Sequence, residues 1–421
     1  MRIYKRLLNH SFFSILVNFF NLGIFQASSM LLQFLAIPII TRKYGIEVFG
    51  QIVLSTSFAV FIAGITNYGT HQTAIKEVAT NKNNPNFLSE LFFRILYFRT
   101  IASASIIPGI VFMCWLHPVG SIFLWLSILP VVLAEIFNPL YFLIGYEKIG
   151  WISWGNSIAK LISLLLLVFV PITANFTPII NLMMGMPVLI YYFILCVFIF
   201  QKQKLIYSKP TLHALLHLGK ENFYIMFNGV AVSLQQSIFL FVIVSFVSAQ
   251  TLGAYAIIDK LLSACRQLVS SFSSAVYPKA ARLYEDSPLF WTNFKNKIQK
   301  GYALFFGIVG IVIIIFASQI VWILTGNSHQ QNAGNQTILF VRFFAFAPML
   351  LALNANNVLS LLLQKKYKSL FYISILILAV TAGLSFVLVK VFSPVALGWY
   401  PLLIETACLF IYSIFIRKKT K

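Results

Sequence analysis

The sequence predicts an all-α membrane protein with about twelve transmembrane helices, and three observations support this fold class. Hydrophobic residues make up 59% of the chain and charged residues only 10%, whereas a soluble protein carries about 25% charged residues. The apolar residues form runs of about 20, the length that crosses roughly 30 Å of hydrocarbon. Lysine and arginine concentrate in every second break between these runs, as in proteins that cross a membrane many times.

Twelve apolar runs follow one another along the chain. The first comes after a basic N-terminus, and it is too long, with no small-residue cleavage site, to be a removed signal peptide. Two pairs of runs nearly abut, at Pro118 and near Pro394, because proline marks the break between them. The predicted spans are 15–40, 51–67, 92–116, 119–144, 151–171, 178–201, 222–247, 251–276, 300–324, 336–362, 369–390 and 396–416.

The positive charge predicts the orientation of these spans. Of the 31 lysines and arginines, 22 lie in the two termini and in alternate breaks, and three, Arg42, Lys43 and Lys390, lie in the opposite breaks. Since cytoplasmic loops are enriched in lysine and arginine, both termini are predicted to be cytoplasmic. The net charge of +21 therefore reflects membrane topology. Membrane lipids are the expected surroundings, and a nucleic-acid partner is not expected, because the cations flank apolar runs.

The chain is predicted to form two pseudo-repeated six-helix bundles around a central cavity, with domains at 1–205 and 206–421. The segment Ile37–Leu54 resembles Val242–Ile258, and Asn138–Lys148 resembles Asn356–Lys366. Six spans separate the members of each pair. Both halves would therefore enter the membrane from the same side, as in transporters built from parallel repeats.

Charged side chains inside the apolar runs are the candidate functional residues. A cation at the centre of a spanning helix costs about 2.5 to 3.5 kcal/mol on insertion scales. Four such cations facing lipid would cost about as much as the net stability of a whole protein, so we expect a water-filled cavity that accepts an anionic substrate. The predicted cationic pathway consists of Arg99, Lys160, Lys260, Arg266 and Arg342.

Two alternatives to this pathway stay open. Arg94 and Arg342 lie near the ends of their runs, where long side chains can extend to lipid headgroups. Polar residues also recur on one helix face, and they could form either the cavity lining or a hydrogen-bonded seam between helices. These residues are Asp259, Ser263, Arg266 and Ser270.

Three carboxylates inside the runs, Glu135, Asp259 and Glu405, are candidates for ion coupling. They could pair with the buried cations, or they could bind a proton, because burial raises the pKa of a carboxyl group. His213, His217 and Glu221 share a helix face, but leucines line its other side, as on the solvated face of an interfacial helix, so no metal site is expected. The sequence has no GxSxG, Walker A or HExxH motif, so neither enzymatic chemistry nor a cofactor is expected.

Short motifs recur in order along the chain. They comprise Pro38, Thr41, Arg42, Gly45, Phe49 and Gly50, then Gly145, Glu147 and Lys148, and then Gly253, Tyr255, Lys260, Tyr277 and Pro278. In this order and at these spans they resemble the Wzx-type O-antigen flippases, which are polysaccharide transporters of the multidrug, oligosaccharidyl-lipid and polysaccharide exporter superfamily. The chain departs from the pattern at Tyr141–Gly145, which lacks the glutamine that precedes this glycine in many relatives.

The resemblance implies a protein of the bacterial inner membrane that moves sugar repeat units linked to undecaprenyl pyrophosphate by alternating access. A polysaccharide polymerase and a chain-length regulator are candidate partners. One alternative is a drug antiporter of the same superfamily, although a lumen with Lys160 and Arg266 would repel its mostly cationic substrates. The other is a membrane-embedded polysaccharide polymerase, which should have a large extracytoplasmic loop; the longest here is Thr325–Gln336.

Overall fold

The computed structural model describes residues 33–116, 122–146, 150–171, 177–326, 331–364 and 366–417, and every regular element in these ranges is a helix. The prediction of an all-α protein is therefore confirmed. The helices are α1 (33–44), α2 (Ile46–Asn67), α3 (Thr70–Thr80), α4 (Pro85–Ser103), α5 (Ile106–Leu116), α6 (Ile122–Leu126), α7 (Leu129–Ile136), α8 (Leu140–Gly145), α9 (Gly150–Phe169), α10 (Thr177–Lys202), α11 (Leu212–Ile243), α12 (Ala249–Asp286), α13 (Pro288–Ile315), α14 (Ala317–Thr325), α15 (Gln331–Phe344), α16 (Ala347–Leu363), α17 (Tyr367–Val391) and α18 (Tyr400–Arg417), with a 3-10 turn at Pro394–Trp399.

Within these described ranges, nine stretches are long and apolar enough to cross a membrane, and each overlaps a predicted span. Several combine two or three consecutive helices, as α4 with α5 and α6 with α7 and α8. This finding confirms a multi-pass membrane protein. The nine stretches are Ile46–Asn67, Pro85–Leu116, Ile122–Gly145, Pro178–Lys202, Leu212–Ile243, Leu289–Ile315, Gly334–Leu363, Lys368–Val391 and Pro394–Phe415.

The other three predicted spans are not among these nine stretches, each for a different reason. Most of 15–40 lies outside the described residues. The span 151–171 corresponds to α9, whose apolar part, Trp154–Phe169, is shorter. The span 251–276 falls within α12, where three charged residues within eight positions lower the hydropathy. The count of twelve and the orientation of the termini stay predictions.

The chain folds into two compact units whose limits fall inside helices. The first unit contains Met1–Ala36 and Ser55–Val230, and the second contains Ile37–Leu54 and Ala231–Lys421. Helices α2 and α11 therefore each contribute one end to each unit. The motif-bearing segment Ile37–Leu54 packs with the C-terminal helices, although it lies near the N-terminus of the chain. The proposed division at 205 and 206 remains a prediction from the sequence.

In the first unit, α10 packs against α9 and α7, and α3 packs against α8. The side chain of Asn181 on α10 donates hydrogen bonds to the hydroxyls of Ser55, at 2.8 Å, and Ser127, at 2.9 Å. Such bonds join helices where no water competes for the polar groups. A Cβ atom at Gly145 would lie 2.7 Å from the Cβ atom of Val78, so the close approach of α8 to α3 requires glycine.

In the second unit, α12 packs against α16, α15 and α13, and α16 also packs against α18. The backbones of α2 and α12 meet at two motif glycines, because a Cβ atom on Gly50 would lie 2.8 Å from the main-chain nitrogen of Gly253. Small residues allow this kind of close crossing between membrane helices. The two glycines belong to the segments Ile37–Leu54 and Val242–Ile258, whose similarity indicated a repeat.

Arg42 and Thr41, at the end of α1, bind the C-terminus of α14. The Nη2 atom of Arg42 donates to the carbonyl oxygens of Ile323, at 2.6 Å, and Trp322, at 3.3 Å, and the Thr41 hydroxyl donates to the carbonyl oxygen of Leu324. The last carbonyl groups of a helix lack intrahelical donors and carry partial negative charge. Arg42, an exception to the predicted charge asymmetry, therefore has a local structural role.

Candidate functional site

Arg99 is the centre of a buried polar cluster in the first unit. It lies on α4 and is 0% exposed. Its Nε atom donates to the hydroxyl of Thr70 at 2.9 Å, and its Nη1 atom donates to the main-chain oxygens of Glu135, at 3.0 Å, and Asn138, at 2.8 Å. The guanidinium also faces the ring of Tyr141, with 5.4 Å between Cζ and the ring centroid. These carbonyl groups lie at the break between α7 and α8, where helical partners are missing.

Glu135 supplies the negative charge of the same cluster. Its carboxylate accepts hydrogen bonds from the side-chain amides of Asn67, at 2.5 Å, and Asn138, at 3.1 Å. The structure therefore brings together Arg99 and Glu135, which the sequence assigned to different roles. Burial of these charges is tolerable because hydrogen bonds replace the lost hydration and opposite charges lie nearby. One atom of the cluster, Nη2 of Arg99, is buried without a hydrogen-bond partner within the described ranges.

Helix α3, outside the nine apolar stretches, extends this polar region. Burial, together with the positive charge of Arg99, lowers the pKa of His71 to about 4, so this imidazole is neutral at physiological pH. Further along α3, the carboxylate of Glu77 pairs with Arg94 at 3.0 Å. Burial raises the pKa of Glu77, although Arg94 acts in the opposite direction. Arg94 therefore has a carboxylate partner within the protein.

A second polar cluster joins three helices of the second unit. The side-chain amide of Asn354 on α16 donates to the carboxylate of Glu405, at 2.8 Å, and to its main-chain oxygen, at 2.9 Å. The Nη2 atom of Arg266 on α12 lies 4.0 Å from the same carboxylate, which belongs to α18. The structure therefore pairs a predicted pathway cation with a predicted coupling carboxylate.

This cluster has unused hydrogen-bonding capacity. Nη1 of Arg266 and the side-chain oxygen of Asn354 are buried, and neither has a hydrogen-bond partner in the part of the chain that the structure describes. Buried polar atoms are normally bonded, so such atoms are candidates for contact with water, an ion or a substrate. An arginine Nη group can donate hydrogen bonds to phosphate or sugar oxygens.

The remaining predicted residues lie outside these contacts or at their edge. Asp259 is buried on α12, one position before the half-buried Lys260 and about two turns from Arg266. Lys160 is half-buried on α9 in the first unit, and Arg342 is exposed on α15 in the second. The pathway role of these residues remains a prediction from the sequence.

Neutral side chains were missed by the sequence analysis. Asn67, Thr70 and Asn138 complete the Arg99 cluster, and Asn354 completes the Arg266 cluster. A signal was present, since asparagine is an unusual residue in an apolar run and commonly bonds across helices. The prediction from the sequence used charge as its criterion, so it identified the arginines and glutamates and missed their amide partners.

Comparison with known proteins identifies the class. A profile of the family described as "Polysaccharide biosynthesis protein" matches residues 15–284. The chain therefore belongs to this family. It is also 20% identical over 358 residues to the "Putative O-antigen transporter" of Escherichia coli strain K12, a match that covers 84% of this chain and 85% of that protein.

Solved structures share the fold over nearly the whole chain. One is titled "Inward-facing conformation of a multidrug resistance MATE family transporter of the MOP superfamily", with a TM-score of 0.75, 11% identity, and 93% and 96% of the two chains covered. Another, "Lipid II flippase MurJ, inward closed conformation", has a TM-score of 0.70, 15% identity, and 93% and 87% covered. At these identities the likeness shows a shared fold, and together with the family and the Escherichia coli relative it supports a membrane transporter. The relatives and neighbours named here are transporters and flippases and not enzymes, which agrees with the prediction.

Proposed function

We propose that this protein moves oligosaccharide units linked to undecaprenyl pyrophosphate, the repeat units of O-antigen, across the bacterial inner membrane. Membership of the polysaccharide biosynthesis protein family carries this proposal. Resemblance to the Escherichia coli relative supports the choice of O-antigen. The fold alone does not select the substrate, because a multidrug transporter and a lipid II flippase both share it.

The charge inside the apolar helices supports an anionic, lipid-linked cargo. A pyrophosphate with attached sugars needs hydrogen-bond donors and water along its route, whereas its polyprenyl chain can remain in lipid. In this proposal Arg99, Lys160, Lys260, Arg266 and Arg342 supply the positive charge. Nη1 of Arg266, buried and without a hydrogen-bond partner among the described residues, is the donor that we assign to the cargo. Glu135, Asp259 and Glu405 are the proposed coupling carboxylates, and a polymerase and a chain-length regulator are the proposed partners.

Export of surface polysaccharide tests this function. Lys160→Ala and Arg266→Ala should each abolish surface polysaccharide in a strain that depends on this protein, and lipid-linked units should accumulate on the cytoplasmic face. Arg266→Lys should restore part of the export, because it keeps the charge. Lys300→Ala is the matched control, since Lys300 is exposed, and it should leave export unchanged. Variant levels in the membrane are compared by immunoblot.

Full export by both alanine variants at normal protein levels would contradict the cationic route. The purified protein in liposomes separates the candidate substrates. A fluorescent lipid-linked oligosaccharide should be flipped, and a cationic dye should not be moved. Transport of the dye alone would favour the drug antiporter. A flipping rate that is the same with and without a proton or a sodium gradient would contradict the coupling role of the three carboxylates.

A further inference from the structure

An apolar groove in the first unit shares none of its lining residues with the Arg99 cluster. It has a volume of about 530 Å³ and runs between α4 and the N-terminal turns of α11. Phe98 and Ile101 form the α4 wall, and Leu212, Leu216 and Phe223 line the α11 wall. Neither the transport proposal nor the family motifs use these residues.

The position of this groove on α11 indicates that the groove lies in the interfacial zone of the membrane. Helix α11 has 32 residues and is therefore about 48 Å long, which exceeds the hydrocarbon thickness by roughly 18 Å. Its first turns carry His213, His217 and Lys220 between the leucines, as an interfacial amphipathic helix does. Leu216 is 58% exposed within the groove. An apolar ligand would remove this surface from water.

The chain segment that leads into α11 and forms the α11 wall of the groove is basic, which favours an anionic ligand. Residues 201–224 contain four lysines, Lys202, Lys204, Lys209 and Lys220, and one carboxylate, Glu221, which gives a net charge of +3 with neutral histidines. Lys220 lines the groove itself. The Glu221 carboxylate lies 3.3 Å from the Nδ1 atom of His217. Clusters of lysine beside a membrane attract anionic lipids.

We propose that this groove binds an anionic phospholipid, with an acyl chain between α4 and α11 and the phosphate at Lys220. The charge pattern predicts that residues 201–224 are cytoplasmic, so the lipid would come from the cytoplasmic leaflet. The site uses none of the residues assigned to the transport route and does not depend on the identity of the cargo.

Photolabelling tests the site. The full-length protein is placed in phosphatidylcholine nanodiscs that contain a trace of phosphatidylglycerol with a photoreactive diazirine in its acyl chain. We expect label to concentrate on peptides covering 98–101 and 212–224, and unlabelled phosphatidylglycerol to compete although phosphatidylcholine is already in excess. Lys220→Gln should lower this labelling about fivefold, the effect of roughly 1 kcal/mol for one lysine near an anionic surface. Leu216→Trp should fill the groove and remove the label.

Matched variants outside the groove serve as controls. Lys300→Gln and Leu304→Trp change exposed positions on α13, where Leu304 is 68% exposed, and both should leave the labelling unchanged. Label spread evenly over the apolar surface, or equal labelling of the Lys220→Gln and Lys300→Gln variants, would overturn the proposal. Competition by undecaprenyl phosphate at lower concentration than phosphatidylglycerol would also overturn it, by making a polyprenyl lipid the occupant. The assay needs no transport, so loss of the proposed function would leave its result valid.

Discussion

At the scale of residues, buried charges in this protein are held by amides, hydroxyls and main-chain carbonyls. Arg99 binds Thr70 and two carbonyl oxygens, and Glu405 binds Asn354. The sequence identified Arg99 and Glu405, because a charge in an apolar run is conspicuous. It could not pair Arg99 with Thr70, because contacts between helices depend on their packing.

His71 allows a test of the environment of the Arg99 cluster. Its pKa is about 4 in the folded protein against 6.5 for the ordinary imidazole. Between these values the unfolded chain binds a proton that the folded protein excludes, so stability should fall as the pH falls from 6.5 towards 4. At pH 5 the loss from this residue is at most about 2 kcal/mol.

The apparent melting temperature in detergent at pH 7 and pH 5 measures this effect. His71→Gln should lose less stability than the unchanged protein between these two pH values. His217→Gln is the control, because the side chain of His217 is 60% exposed, and it should behave like the unchanged protein. Identical pH dependence in the His71→Gln variant would show that this histidine is accessible to protons in the folded state.

At the scale of elements, the packing of helices explains why two motif segments carry their particular residues. Thr41 and Arg42 bind the carbonyl groups at the end of α14. Gly50 and Gly253 let the backbones of α2 and α12 touch. The sequence showed that two similar segments carry glycine at corresponding places. The packing explains why this residue is needed, since a Cβ atom would collide with the backbone of the neighbouring helix.

Gly50→Ala tests this crossing. The added Cβ atom would lie 2.8 Å from the Gly253 nitrogen, and overpacking of this kind costs about 1 to 3 kcal/mol. We expect a lower apparent melting temperature and less folded protein in the membrane. Gly307→Ala on α13 is the control, because its Cβ atom would meet no atom within 4 Å, and alanine favours the helix there. Equal melting temperatures for the two variants would contradict a close-packed crossing.

At the scale of the whole molecule, the sequence makes a prediction about topology that follows from the distribution of charge. The 22 cations in alternate breaks, against three in the others, predict that the C-terminus and the break at 201–221 are cytoplasmic and that the break at Thr325–Gln336 is extracytoplasmic. A reporter protein that fluoresces only in the cytoplasm should therefore fluoresce when it is fused after residue 421 or residue 210. A phosphatase that is active only in the periplasm should be active when it is fused after residue 328 and inactive at the other two fusion points. The reverse pattern would refute the assigned orientation.

Composition and charge were sufficient to determine the class of this protein. A chain with 59% hydrophobic residues and 10% charged residues must bury its backbone polar groups in helices if it is to lie in lipid, so the helical, multi-pass architecture follows from local sequence. The tertiary structure decided which helices pack together. It placed Ile37–Leu54 with the C-terminal helices, and it joined Arg266 to Glu405 through α12 and α18. These pairings depend on close contact between segments far apart in the chain, and apolar helices of similar composition carry little information about which neighbours they will meet.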